Sequence, residues 1–118
     1  MEDLIFAVPG TRRPRSEVEA LRRRLEWLMA QTPFDAVPRG ALDAARWTLL
    51  EVPDPPLSSR RGVDVVGVEA ERDLARAVML GVCPGDVERA AGVRAWLEWW
   101  LEISAAPSWM APTRRPGH

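Results

Sequence analysis

The spacing of apolar residues in the first half of the chain predicts two amphipathic helices. Ser16 and Glu19 have the spacing of a capping box, so the first helix is expected to begin at Ser16 and to end before Pro33. The second helix is expected from about Arg39 to Glu51. The apolar faces comprise Val18, Leu21, Leu25 and Leu28 in the first helix, and Leu42, Ala45, Trp47 and Leu49 in the second.

Two connecting segments in this half have no helical periodicity. Phe34 and Val37, between the two helices, are expected to pack into the core. After the second helix, Pro53, Pro55 and Pro56 exclude both helix and central strand. The stretch from residue 51 to residue 62 is therefore expected to be the longest and most mobile loop.

The second half of the chain predicts two more helices, and one short stretch is ambiguous. The third helix is expected from about Val68 to Leu80, and the fourth from about Asp86 to Ser104. Residues 63–68, "VDVVGV", also have the composition of a strand, which would pair with "LIFAV" at residues 4–8. The core-facing residues expected on the third helix are Ala70, Leu74, Ala77 and Val78.

The chain is thus predicted to have a mainly α-helical fold, a compact bundle of about four helices in one domain. Residues 1–15 are expected to be a short extended segment and basic linker, and residues 16–104 the helical domain. Residues 105–118 contain three prolines and no periodicity, so a flexible tail is expected there. A chain of 118 residues is long enough to bury one hydrophobic core.

The fourth predicted helix contains half of the six tryptophans, Trp96, Trp99 and Trp100. Its apolar arc spans about 200°, twice the ~100° stripe that packing on one side requires. Either the other helices of the chain surround it, or another chain covers half of the arc. Trp100 near the centre of the arc is expected in the core, and Trp99 at the edge is expected at a contact surface. The candidate partner-binding residues are Trp96, Trp99, Ile103 and Trp109.

Composition and charge weigh against several classes of function. The formal net charge of −1 creates no overall field that would attract nucleic acid or anionic lipid. No apolar run approaches the ~18 residues of a membrane span. A single cysteine excludes an internal disulfide, and the acidic start "MEDLIFAVPG" is unlike a signal peptide, so a cytoplasmic location is expected.

Residue types that carry catalysis are scarce in this chain. The one histidine is His118, and lysine and tyrosine are absent, which leaves little for acid–base work. Cys83 is the single candidate nucleophile, but Asp86 opposes formation of its thiolate and no base is nearby. One cysteine and one histidine do not make a metal-ligand set. The sequence therefore predicts no enzyme, no cofactor and no metal ion.

Arginines cluster near the N-terminus, at Arg12, Arg13, Arg15, Arg22 and Arg23. Such a cluster is a candidate site for phosphate groups or an acidic partner, but it is also typical of a solvated helix face. The chain has arginine and no lysine, tyrosine or asparagine, as a GC-rich genome would favour. Arginine clusters therefore carry less weight as recognition signals here.

The stretch "VERAAGVRAWLEWWL", residues 87–101, resembles the middle of a helix-turn-helix unit with Ala-Ala-Gly-Val as its turn. This resemblance implies a small DNA-binding regulator as the alternative function. Glu98 and Glu102 on the would-be recognition helix oppose it, because carboxylates repel phosphate. The sequence leaves open whether residues 87–104 form one helix or a helix-turn-helix unit.

Two segments, "ALDAARWTLLEVPDPPLS" at residues 41–58 and "GVRAWLEWWLE" at residues 92–102, resemble small helical proteins of actinobacteria, their phages and mobile elements. The resemblance implies a bacterial or phage origin and an accessory role, and it assigns no site residues. Together with the scarcity of catalytic groups, it favours a non-enzymatic protein–protein interaction or regulatory module. Its partner would be another protein or a second copy of the chain.

Any DNA binding is expected to be weak and independent of sequence, because the net charge is near zero and the candidate recognition helix is acidic. In a mobility-shift assay at about 150 mM salt, the affinity should be no tighter than roughly micromolar, as for non-specific binding. Nanomolar binding to one preferred sequence would contradict this prediction.

Overall fold

The computed structural model describes residues 11–58 and 63–110, which form four α-helices and no β-strand. The predicted mainly α-helical bundle is confirmed. The strand alternative for residues 63–68 is wrong, because residues 65–68 form the first turn of the third helix; its predicted partner, residues 4–8, lies outside the described residues. The helices are α1 (Arg15–Gln31), α2 (Ala36–Thr48), α3 (Val65–Met79) and α4 (Val87–Trp100).

Aspartate side chains cap the N-termini of three of the four helices. The Asp35 carboxylate accepts a hydrogen bond from the N–H of Val37 at 3.3 Å, and the Asp64 carboxylate accepts one from Gly67 at 2.6 Å. Asp86 accepts hydrogen bonds from two N–H groups in the first turn of α4, at 3.0 and 3.1 Å. Because the first turn of a helix leaves its N–H groups free, these caps fix where α2, α3 and α4 start.

Helix α1 begins without a side-chain cap. Pro14 occupies the cap position with φ −59° and ψ 143°, and Arg15 is already helical. The predicted capping box of Ser16 and Glu19 is therefore wrong. Ser16 lies inside the first turn, and the Glu19 carboxylate forms an ion pair with Arg15 at 3.0 Å.

Helix α4 lies at the centre of the bundle, where it packs against α2 and α3, while α1 packs against α2. The chain's own elements thus cover the wide apolar arc of α4, as in the first of the two arrangements expected. Trp100 is fully buried, as predicted, and Trp99 is only 4% exposed. The buried residues of α4 are Ala90, Gly92, Val93, Trp96, Leu97, Trp99 and Trp100.

Two glycines allow α2 and α4 to cross with their backbones in contact. A Cβ atom added at Gly40 would overlap the carbonyl group of Arg89. A Cβ atom added at Gly92 would overlap the carbonyl of Val37 and lie 2.8 Å from the amide nitrogen of Ala41. Because the opposing atoms are backbone and cannot move aside, only glycine fits at this crossing.

A buried hydrogen bond joins the middle of α4 to the end of α2. The indole N–H of Trp96 donates to the hydroxyl of Thr48 at 2.9 Å. The same hydroxyl lies 3.1 Å from the carbonyl oxygens of both Ala44 and Ala45. Since a buried polar group is costly without a partner, this network stabilises one particular packing of the two helices.

Two expectations about the core are wrong. Phe34 is 96% exposed, because it lies in the tight turn between α1 and α2 and its side chain points into solvent. On α3, Ala70, Leu74 and Ala77 are only partly buried, because the helix packs inward with a neighbouring face that includes Glu71. The buried residues of α3 are Gly67, Val68, Glu71, Ala75 and Val78.

The described part of the proline-rich loop, residues 51–58, is held by side chains from α3 and α4. Glu71, only 2% exposed, accepts hydrogen bonds from the N–H groups of Leu57 at 2.5 Å and Ser58 at 3.2 Å. Arg89 donates a hydrogen bond to the carbonyl of Pro56 at 2.9 Å. The buried glutamate therefore anchors a segment that was expected to be mobile.

The packed domain extends beyond the predicted boundary at residue 104. Met110 is fully buried, and Trp109 is partly buried against the same core. Residues 105–110, expected as the first part of a flexible tail, thus contribute to the core. Residues 111–118 lie outside the described residues.

Substitution of Gly92 by alanine tests the close crossing of α2 and α4. Gly92→Ala is expected to lower the free energy of unfolding by about 2 kcal/mol or more, because the added methyl group meets the backbone of α2. Helix propensity alone predicts the opposite, a gain of about 1 kcal/mol.

Chemical denaturation of the wild type and of Gly92→Ala measures the change in the free energy of unfolding. Ala91→Gly, at the neighbouring half-buried position, is the matched control. This control should lose about 1 kcal/mol through helix propensity alone. A Gly92→Ala protein as stable as the wild type would show that the two helices do not cross so closely.

Candidate functional site

An open groove of about 530 Å³ lies where the start of α3 meets the end of α4, and it is called the α3–α4 groove below. Its lining combines the apolar side chains of Val65, Leu101 and Ile103 with the carboxylates of Glu69 and Glu102. Residues 11–12, which precede α1, line it as well. Three segments that are distant in the sequence therefore build this site.

The way in which α4 ends exposes Ile103 in the groove. Glu102 adopts the left-handed conformation, with φ 61°, and its N–H donates to the carbonyl of Trp99 at 3.0 Å. The N–H of Ile103 donates to the carbonyl of Glu98 at 2.8 Å, which completes a Schellman motif. The Ile103 side chain remains 54% exposed, and Val65, the first residue of α3, is 52% exposed.

Thr11 and Arg13 fasten the segment before α1 to the end of α4. The Thr11 hydroxyl donates to the carbonyl of Trp100 at 2.7 Å. The Arg13 guanidinium donates to the carbonyls of Trp99 at 3.0 Å and Ser104 at 3.3 Å. Its Cζ atom lies 5.0 Å from the centroid of the Trp99 ring, within the range of a cation–π contact. Because a positive charge also stabilises a helix C-terminus, Arg13 serves the fold and is not a free phosphate ligand.

The charges of the α3–α4 groove are only partly paired. Arg72 forms ion pairs with carboxylates of α3 and α4, at 2.9 and 3.5 Å. Glu69, Glu102 and Arg12 have no ion pair within residues 11–58 and 63–110. Among the described residues, the lining therefore has two carboxylates without an ion pair, one guanidinium without an ion pair, and Arg72 with its two ion pairs. The formal charge of the lining is balanced, and only its unpaired charge is negative.

The four candidate partner-binding residues do not form one surface. Trp96 and Trp99 are buried at 0% and 4% exposure, because α2 packs over α4 and the Arg13 guanidinium covers the Trp99 ring. Ile103 lines the α3–α4 groove. Trp109 is partly buried and lines a second groove of about 280 Å³. Of the four, Ile103 therefore has the largest accessible apolar surface.

The arginine candidates other than Arg13 are also dispersed. Arg15 has one ion pair, at 3.0 Å, and Arg22 has two, at 2.5 and 3.1 Å. The hydrogen bond to Glu51 raises the pKa of Arg22 above its usual value. Arg12 and Arg23 are exposed and have no ion pair among the described residues, but Arg23 lies on α1 and Arg12 lines the groove.

Sequence reasoning missed Val65 and Glu69 as site residues. The two residues stand four positions apart at the start of α3, a spacing that places an exposed valine and a carboxylate on one face. That spacing is visible in the sequence. The two residues form part of a site, however, only because the end of α4 lies beside the start of α3.

The described part of the chain offers little other chemistry. No group of three or more histidine, cysteine, aspartate or glutamate residues is placed there to hold a metal ion. Cys83 is partly buried against the core, between α3 and α4. None of the four helices combines the length and the apolar character needed to cross a membrane.

Helix α4 runs without interruption from Val87 to Trp100. The predicted helix-turn-helix alternative needs a turn at residues 90–93. That turn is absent, because these residues are helical and Gly92 packs against α2. Comparisons with protein-family models, curated proteins and solved structures gave no match to this chain. The resemblance to small actinobacterial and phage proteins stays a prediction.

Replacement of Arg13 tests the link between the N-terminal segment and α4. Arg13→Ala is expected to lower the free energy of unfolding by about 1–3 kcal/mol, because two charge-assisted hydrogen bonds are lost. Urea denaturation followed by tryptophan fluorescence measures this loss. The neighbouring Arg12→Ala is the matched control and should change stability by less than about 0.5 kcal/mol. Equal effects of the two substitutions would argue against the link.

Proposed function

We propose that this protein is a non-enzymatic interaction module that binds a protein partner, either a different protein or a second copy of the chain, through the α3–α4 groove, in an accessory or regulatory role. The observation that carries the proposal is the pair of exposed apolar side chains, Val65 and Ile103, accompanied by the carboxylates of Glu69 and Glu102, which form no ion pair with any described residue. An apolar centre with a polar rim is the usual anatomy of a protein–protein interface.

The groove is supported by fixed elements on each side. The Schellman motif sets the direction of the chain at Ile103, and the cap of Asp64 sets the first turn of α3. The contacts of Thr11 and Arg13 hold the third segment. A surface that is already ordered loses less conformational entropy on binding, which favours affinity.

The charge of the groove favours a protein partner over a nucleic acid. Binding to nucleic acid depends mainly on neutralising phosphates with arginine or lysine. In this groove Arg72 is already engaged in ion pairs, and among the described residues Glu69 and Glu102 outnumber Arg12, the one lining guanidinium without an ion pair. The single cysteine and the composition are in keeping with a module that acts in the cytoplasm of a bacterium, and we include that location and a bacterial or phage origin in the proposal.

Site-specific photo-crosslinking in bacterial cells that express the protein tests the proposed function. A photo-reactive residue at position 103 is expected to give one or a few discrete protein adducts on irradiation. The same residue at position 82 should not give them, because Val82 is 76% exposed but does not line the α3–α4 groove. Adding Glu69→Arg to the position-103 variant should abolish the adducts, since it reverses a charge in the groove.

Two outcomes would contradict the proposed function. One is the absence of any protein adduct at position 103. The other is an identical set of adducts at positions 103 and 82 that Glu69→Arg does not change, which would indicate non-specific collision.

A further inference from the structure

A second surface, with the complementary chemistry, lies on α1. Trp27 is 52% exposed, and Arg23, one helical turn before it, is exposed and has no ion pair in the described part of the chain. The Cζ atom of Arg24 lies 4.7 Å from the centroid of the Trp27 ring, and this cation–π contact restrains the indole. The α1 surface, defined by Arg23 and Trp27, thus presents a large apolar ring beside an unpaired positive charge.

The α1 surface complements the α3–α4 groove in both polarity and charge. Val65 and Ile103 offer apolar contacts to an indole ring in a groove of about 530 Å³. Glu69 and Glu102 offer carboxylates to a guanidinium, and opposite charges across an interface fix its register. Tryptophan and arginine are also the side chains that most often dominate binding energy at interfaces.

We propose that the occupant of the α3–α4 groove is the α1 surface of a second copy of this chain, with Trp27 seated against Val65 and Ile103. Arg23 then pairs with the carboxylates of Glu69 and Glu102. The inference rests on the proposed function and names the partner. Arg12 and Arg72 also line the groove and oppose Arg23, but Arg72 is neutralised by its two ion pairs, which leaves two carboxylates against the one guanidinium of Arg12.

Such an association joins two different surfaces, so a pair held by a single contact leaves one free groove and one free α1 surface. Further copies can add at both ends, and the assembly either grows as an open chain or closes into a ring. An interface built from the same patch on both copies would instead stop at the dimer. The two cases are distinguishable by mixing variants that lack different surfaces.

Light scattering coupled to size exclusion on the purified full chain tests this inference. The mean mass of the wild type is expected to rise with concentration above the 13.2 kDa of one chain. Trp27→Ala and Glu69→Arg should each stay at the mass of one chain, because the first lacks the ring and the second repels Arg23. Mixed together, they should form a one-to-one dimer that grows no further, since each variant retains the surface that the other lacks.

Controls and contrary outcomes separate this inference from the proposed function. Leu80→Ala and Glu88→Arg, at exposed positions outside both surfaces, should associate like the wild type, and circular dichroism should show all variants folded. A wild type that stays monomeric at every concentration overturns the inference, as does a mixture of Trp27→Ala and Glu69→Arg that does not dimerise. In the crosslinking experiment, an adduct of twice the chain's mass supports the second copy. An adduct with a different protein overturns the inference and leaves the proposed function intact.

Discussion

The close crossing of α2 and α4 is the constraint on which the rest of the structure depends. At Gly40 and Gly92 the two backbones are in contact, and a single added methyl group at either position would overlap a carbonyl of the other helix. Because the helices approach so closely there, the indole of Trp96 reaches the hydroxyl of Thr48, and the guanidinium of Arg89 reaches the carboxylate of Asp43 at 3.0 Å. These polar links hold only one relative placement of α2 and α4.

That placement makes α4 the axis of the bundle and explains why its tryptophans serve the core. A helix with an apolar arc of about 200° needs neighbours on more than one side. The α2 helix contacts one side, α3 contacts another, and the Arg13 guanidinium covers the ring of Trp99. The C-terminus of α4 lies at the surface. There its last carbonyls accept hydrogen bonds from Thr11, from Arg13 and from the N–H groups of the Schellman motif. The α3–α4 groove is a consequence of that ending.

Over residues 11–58 and 63–110, the surface divides into regions where charges form ion pairs with one another and regions where they do not. Arg22, Arg72 and Arg89 each have carboxylate partners, so part of the arginine-rich character contributes to the fold. The unpaired charges of the α3–α4 groove lie beside exposed apolar side chains, and the same is true of the α1 surface. A charge that is already paired within the chain gains little from a partner's opposite charge, because the existing ion pair must be given up, so unpaired charges beside apolar surface are the better candidates for recognition.

Local sequence patterns predicted the four helices of this protein, whereas the packing of those helices selected the residues that form its surfaces. Periodicity placed Val18, Leu25 and Trp100 in the core and predicted that α3 ends at about Leu80, next to its last helical residue Met79, because these signals act within a few residues. The burial of Glu71, the exposure of Phe34 and the use of Arg13 at the end of α4 were not predictable in this way. Each depends on a partner or a turn that only the folded chain supplies: the N–H groups of the proline-rich loop lie fourteen and thirteen positions before Glu71, and the Trp99 carbonyl lies eighty-six positions after Arg13. Local sequence patterns carry no information on such distant contacts, and for the same reason the α3–α4 groove appears only when the start of α3, the end of α4 and the segment before α1 come together.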